Sequence, residues 1–227
     1  MKNVNDASKS RTAKRRSQIY GLLAAVYVRP VDESFLRALL AIKIPTHTQL
    51  PEISGQLVRS LSSLNSWLER ESKDLESVSV RLAPEFTRLF RGLSRKNSPP
   101  PPYESVYLES RLFGETTSGV IEKYAQYGIS PENNEPHDHI SLELDFMRFL
   151  CDGESEAWKS GDDACVLLGE QGAFLDEHLL RWVPAFSAQI RKFDATGFYT
   201  AAVEVTEAWV NYDRGVITRL NDASTAS

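Results

Sequence analysis

Cysteine is scarce: Cys151 and Cys165 are the only two in the chain. Two cysteines build no disulfide framework, and no Cys-x-x-Cys pair is present for redox or zinc chemistry, so a reducing compartment is the simpler setting. Long apolar runs are also missing. No stretch of 18 or more apolar residues occurs, which excludes a membrane-spanning helix. Eleven prolines and twelve glycines are too few for a low-complexity or fibrous protein. The sequence has no Gly-rich phosphate loop of either common spacing, no Gly-x-Ser-x-Gly elbow and no His-Glu-x-x-His pair. Histidine supplies four positions: His47, His137, His139 and His178.

What is present is ordinary globular material. Hydrophobic residues make up 41% of 227 and charged residues 25%, enough for a substantial core in one large domain or two small ones. The net charge of −5 is uneven. Residues 1–16 carry Lys2, Lys9, Arg11, Lys14, Arg15 and Arg16 against Asp6, a net of +5, so the other residues carry −10. An acidic body argues against nucleic acid as a partner and suits a basic peptide, because opposite potentials steer association.

Arg15-Arg16-Ser17-Gln18-Ile19 precedes an apolar stretch from Gly21 to Val28, as a twin-arginine export signal would. The helical reading is stronger. Ile19, Leu22, Leu23 and Val26 fall on one helical face, and no small-x-small cleavage site follows. Residues 1–14 then form a basic tail ahead of a first helix, and the protein stays in the cytoplasm.

Helical spacing continues along the chain. Asp32 caps a helix bearing Phe35, Leu36, Leu39 and Leu40, stopped by Ile44-Pro45. Leu57, Leu61, Leu64 and Leu68 make an apolar stripe. Pro84 suits a first helical turn, with Phe86, Leu89, Phe90 and Leu93 following. The prolines at 99–102 must leave helix, as a linker, hinge or rigid wall. Val120, Tyr124 and Tyr127 mark a helix closed by Gly128. Asp138 caps the next, apolar on two faces: Ile140, Leu144, Met147 and Cys151 on one, Leu142, Phe146 and Phe149 on the other. Phe174, His178 and Trp182 lead to Pro184, which restarts a helix with Phe186, Ile190 and Phe193. Phe198, Ala202, Val205, Trp209, Tyr212 and Val216 line the last helix. No alternating period-2 run competes. The expectation is an all-α fold, one globular helical domain over residues 15–220 with a flexible tail at 221–227.

Two segments carry potential chemistry. Glu135-Pro136-His137-Asp138-His139, with Glu143 a turn later, reads as a proline loop with Asp138 as N-cap, as a metal set of His137, His139 and Glu143, or as a binding site. Pro102-Tyr103-Glu104-Ser105-Val106-Tyr107 reads as two core tyrosines at i, i+4, or as an aromatic wall holding a carboxylate, which fits peptide recognition. Residues 132–156 hold eight Asp or Glu against one Arg, either a solvated helix face or part of an acidic site.

These segments, with Phe86-Thr87-Arg88-Leu89-Phe90, Leu112-Phe113-Gly114 and Phe174-Leu175-x-x-His178-Leu179-x-x-Trp182-x-Pro184 in that order, resemble the TorD/DmsD family of redox-enzyme maturation chaperones over about residues 15–215. The resemblance implies an all-helical, non-enzymatic cytoplasmic protein needing no cofactor. It implies binding to the twin-arginine signal peptide, or the apo form, of a molybdenum-cofactor oxidoreductase, holding back export until the cofactor is inserted. Some members are linked to guanine nucleotide, for which these residues offer no independent sign. Carried over residue by residue, the apolar contacts fall on Phe86, Leu89, Phe90, Tyr103 and Tyr107, and the acidic and imidazole positions on Glu135, Asp138 and His139, with Pro136 shaping the loop. Glu104 joins them as an acid able to meet an arginine. Relatives often have tryptophan at the positions of Phe86, Tyr103 and Tyr107, so the pocket here differs in shape. Asp138→Ala is expected to weaken peptide binding with the fold unchanged. Other readings are a small metal- or His-dependent hydrolase using Glu135, His137, Asp138 and His139, and a structural helical subunit of a complex. Oligomeric state is left between a monomer and a dimer swapped through the 99–102 hinge.

Overall fold

The computed structural model describes residues 4–42, 55–92, 98–130 and 135–225. Among them the regular structure is helical, and the only β feature is an isolated bridge between Tyr103 and His139. The expected all-α class holds. The helices are α1 (Val4–Val28), α2 (Glu33–Ala41), α3 (Gly55–Glu71), α4 (Leu75–Phe90), α5 (Glu104–Glu109), α6 (Glu115–Gln126), α7 (Ile140–Ser160), α8 (Cys165–Phe174), α9 (Leu180–Phe193) and α10 (Phe198–Thr225). A π-helical stretch, Leu175–Leu179, joins α8 to α9. Ile44-Pro45, His47 and Leu93 lie outside the described residues.

The chain falls into two compact units. One comprises Met1–Ala25, Tyr103–Trp182 and Asp213–Ser227, the other Val26–Pro102 and Val183–Tyr212. Each gathers separate stretches of sequence, so the proline run is not a simple linker between an N-terminal and a C-terminal half.

In the second unit the core is aromatic. Phe90 packs edge-on against Tyr27 (centroids 5.6 Å) and Tyr199 (5.2 Å) and lies 6.2 Å from Phe186. The Tyr27 hydroxyl is 2.8 Å from that of Thr206, so its polar end is satisfied in the core. Trp67 donates its Nε1–H to the Thr196 carbonyl (2.9 Å), beside Gly197, whose φ of 78° is strained for any side chain. Asp32 caps α2 as expected, accepting from the Phe35 amide (2.8 Å). Pro84 sits inside α4 rather than in its first turn, because Asp74 starts that helix a full two turns earlier, accepting from the Ser77 amide. The bond Pro84 cannot make would go to the carbonyl of Val80. Val80 is 69% exposed, so that side of the helix faces water.

In the first unit α7 runs through the middle, but only one of its two apolar faces is fully interior. Ile140, Leu144, Met147 and Cys151 are buried, whereas Phe149 is 40% exposed. Gly128 closes α6 with φ 67°, its amide on the Ala125 carbonyl and that of Ile129 on Tyr124, both at 3.0 Å. Helix does not restart at Pro184: it is continuous from Cys165 to Phe193, with the π turn one turn ahead of the proline. The basic lead is not a tail. Helix α1 begins at Val4, with Ala13 buried, Ser10 Oγ on the Ser155 carbonyl (3.0 Å) and Lys14 paired to Asp152 (2.8 Å). At the other end α10 continues to Thr225, past the expected boundary at 220.

Candidate functional site

The site grows from the start of α5. Tyr103 is extended (φ −120°, ψ 136°) and bridges His139, while the next two amides turn to Asp138. Glu104 N–H donates to the Asp138 carbonyl (3.0 Å) and Ser105 N–H to Asp138 Oδ2 (2.8 Å). Asp138 therefore caps α5, not α7. The N-cap of α7 is His139, whose Nδ1 lies 3.2 Å from the Ser141 amide and 2.7 Å from the Ser141 hydroxyl. The bridge to Tyr103 holds the His139 backbone extended (φ −73°, ψ 137°), so α7 starts one residue later than an Asp138 cap would set.

Outside this clamp Tyr103 Oη donates to Glu135 Oε2 (2.6 Å), and its ring meets the His139 ring edge-on at 5.2 Å. Tyr103, Glu135 and Pro136 are half-buried, as is Tyr107, whose ring lies 5.5 Å from Trp182. Behind the clamp lie three fully buried carboxylates: Glu104, Asp138 and Glu143. Glu104 Oε2 meets His178 Nδ1 (2.8 Å), and Glu143 Oε2 accepts from Trp182 Nε1–H (3.0 Å). Among the described residues the other oxygen of each acid has no partner. The acidic stretch is thus only partly a solvated face, since Asp138, Glu143 and Glu154 turn inward.

Three acids in one apolar pocket cannot all ionise cheaply. Burial, then the Glu104 carboxylate, pushes Glu143 well above the usual range; Trp182 opposes the shift and Asp138 adds to it. The folded state therefore holds this proton after the unfolded chain has released it near pH of about 4.3. Between that pH and the raised folded value, stability falls as pH rises, by up to about 1.4 kcal/mol per pH unit from this group. Glu143→Gln is expected to flatten that slope while keeping an acceptor for Trp182. Urea unfolding at several pH values between 5 and 9 reads it, and parallel profiles for the two proteins would overturn it.

The remaining expected site residues lie elsewhere. Phe86, Leu89 and Phe90 belong to the second unit and are 2%, 0% and 3% exposed. They are core side chains and present no surface. Nor are His137, His139 and Glu143 gathered as ligands: His139 serves Ser141, Glu143 serves Trp182, and His137 offers its carbonyl to the Tyr124 hydroxyl (3.1 Å). Among the described residues no group of three or more His, Cys, Asp or Glu is placed to hold a metal ion. His178 and Trp182 were expected as helix positions and as part of the family's late motif, not as site residues. Their i, i+4 spacing on a buried face was the available signal for a polar pair serving Glu104 and Glu143.

A family model described as the nitrate reductase delta subunit matches residues 50–188, more than half of the chain. The chaperone protein TorD of Photobacterium profundum is 34% identical over 168 residues, covering 72% of this chain and 74% of its own. This chain belongs to the TorD family of redox-enzyme maturation chaperones. The TorD of Vibrio cholerae (Classical Ogawa 395) is 28% identical over 210 residues, 91% of this chain and 94% of its own. A solved structure of a proposed redox enzyme maturation protein from Archaeoglobus fulgidus aligns with a TM-score of 0.44 at 22% identity, over 84% of this chain and 91% of that one. TorD-family proteins are maturation chaperones for molybdenum enzymes rather than enzymes themselves. Among the described residues of this TorD-family chain, no helix is long and apolar enough to cross a membrane.

Proposed function

We propose that this chain acts in the cytoplasm, binding the twin-arginine signal peptide, the apo form, or both, of a molybdenum-cofactor oxidoreductase catalytic subunit, and delays export until the cofactor is in place. The observation that carries the peptide reading is the half-open edge formed by Tyr103, Tyr107 and Glu135. Two aromatic rings and a carboxylate stand there at the surface, with the Tyr103 hydroxyl on the acid. Such an edge offers apolar area to a signal's hydrophobic stretch and an acceptor to its arginines. Asp138 and His139 support the edge from inside and do not face the peptide directly. Removing the Asp138 carboxylate strands the buried Ser105 amide, so Asp138→Ala disturbs the fold as well as any binding. The earlier expectation of an unchanged fold gives way for that reason.

Glu135 is the cleaner probe because its side chain is at the lip. Affinity purification from the native host is expected to recover a molybdenum-oxidoreductase precursor with its leader attached. Calorimetry with that leader as a synthetic peptide is expected to show Glu135→Ala binding roughly tenfold more weakly, with an unchanged melting temperature. Equal affinity would remove Glu135 from the site. Recovery of no such precursor, from cells known to express one, would sink the chaperone–client reading.

A further inference from the structure

A second feature of the same unit lies apart from the Tyr103–Glu135 edge. A groove of about 490 Å³ is lined by the end of α5, by α6, and by the π turn and start of α9. On α6, Glu115, Gly119 and Glu122 stand at i, i+4 and i+7, a single stripe along its wall. Opposite is His178, 6% exposed, with its Cε1 only 3.6 Å from where a Gly119 side chain would begin. The glycine is what leaves the imidazole edge open to the groove.

Of the two cations in the lining, Lys123 is ion-paired and Arg181 holds a backbone carbonyl. Lys123 lies 3.5 Å from Glu170 and 3.6 Å from Glu177, and Arg181 donates to the Glu177 carbonyl (3.2 Å). Glu109 is spent on the start of α6, accepting from the Glu115 and Thr116 amides and the Thr116 hydroxyl. Among the described residues Glu115 and Glu122 have no ion-pair partner, and both are exposed. His178 uses one ring nitrogen, Nδ1, on Glu104 at 2.8 Å. In the Nδ1–H tautomer the ring donates to Glu104 and leaves Nε2 as an acceptor, with no partner among the described residues.

We propose that this groove is a socket for an arginine side chain of a bound polypeptide, with His178 Nε2 as the buried acceptor and Glu115 and Glu122 as the flanking carboxylates. A planar guanidinium offers five N–H donors in a fixed fork, which matches one acceptor at depth and an acid on either side. The buried Glu104 is a positioning residue that fixes the imidazole tautomer. The socket deepens the signal-peptide reading, because a twin-arginine leader supplies such side chains, yet it stands on residues outside the Tyr103–Glu135 edge.

The test uses the full chain with N-acetyl-Arg-Arg-amide as probe and its citrulline counterpart as control. Nitrogen-correlated NMR of the histidine rings is expected to show His178 in the Nδ1–H tautomer, and the arginine probe alone to shift its Nε2 signal saturably. Gly119→Leu, which covers the imidazole, and Glu115→Lys/Glu122→Lys, which reverses two exposed charges, are each expected to weaken the probe by roughly tenfold or more. Gly119→Ala, whose methyl meets His178 at ordinary contact distance, is the control for folding and is expected to lose less affinity than Gly119→Leu. A doubly protonated His178 at neutral pH, equal response to citrulline, or unchanged affinity in both blocking variants overturns the socket. If Gly119→Leu leaves a client leader's affinity untouched while wild type binds it, the socket falls and the chaperone reading stands. If no leader binds wild type, the chaperone reading falls, and the dipeptide result still decides the socket.

Discussion

Arg16→Met is expected to cost about 3–5 kcal/mol of unfolding free energy, whereas Arg15→Met changes stability by no more than about 0.5 kcal/mol. The two arginines are adjacent in sequence and opposite in environment. Arg15 is exposed; Arg16 is 2% exposed, in the interior of the first unit. Its Nη1 donates to Glu154 Oε2 at 2.6 Å, and Nε and Nη2 grip both oxygens of Asp213, with Gln171 taking a further bond. Glu154 and Asp213 are fully buried. Methionine keeps much of the stem's volume and removes the charge, leaving two carboxylates in an apolar interior with only neutral donors such as the Tyr20 hydroxyl, 2.7 Å from Asp213. Those acids can escape by taking up protons, so the loss is larger at pH 8 than at pH 5. Thermal unfolding by circular dichroism reads the difference, and a fall of about 10 °C for Arg16→Met alone is expected. Equal melting of the two variants would mean that α1 does not dock through this node, and would reopen the leader reading of residues 15–28.

The second large effect is in the other unit. Phe90→Ala is expected to lower stability by about 3–5 kcal/mol, the range for emptying a buried phenylalanine site. Phe90 is 3% exposed and meets the rings of Tyr27, Phe86, Phe186 and Tyr199. Four aromatic neighbours on four helices leave little room for collapse around alanine, so the cavity persists. Equilibrium urea unfolding measures the loss. Measured well below the unfolding midpoint, the variant is expected to keep its affinity for a client leader, because Phe90 offers a peptide no surface. A variant that stays as stable as wild type but no longer binds the leader would return Phe90 to the peptide site and show that its burial is not the working state.

These two residues show how far local sequence reasoning reached. The spacing of Leu57, Leu64 and Leu68, or of Ile140, Leu144, Met147 and Cys151, fixes which helical face is apolar, and those faces are buried. Helical periodicity is a local property, set by 3.6 residues per turn, so no partner need be known to read it. The order of motifs likewise gave the family. The polar contacts were different. Asp138 carries the residue type of an N-cap and stands directly before a helix, yet it caps α5, 34 residues earlier in the chain, because the Tyr103–His139 bridge brings that helix start alongside.

Alone, the sequence determined the all-α class, the caps at Asp32 and Gly128, the amphipathic faces and the family, since each rests on residues near one another in the chain or on their order. Tertiary structure decided which charged and aromatic residues face inward. Arg16 joins Glu154 and Asp213 across 138 and 197 residues, and Glu104 joins His178 across 74. A charged side chain is read as exposed until its partner is known, because burial is tolerable only when a compensating group meets it. That partner is chosen by the packing of distant helices, and no local spacing records it.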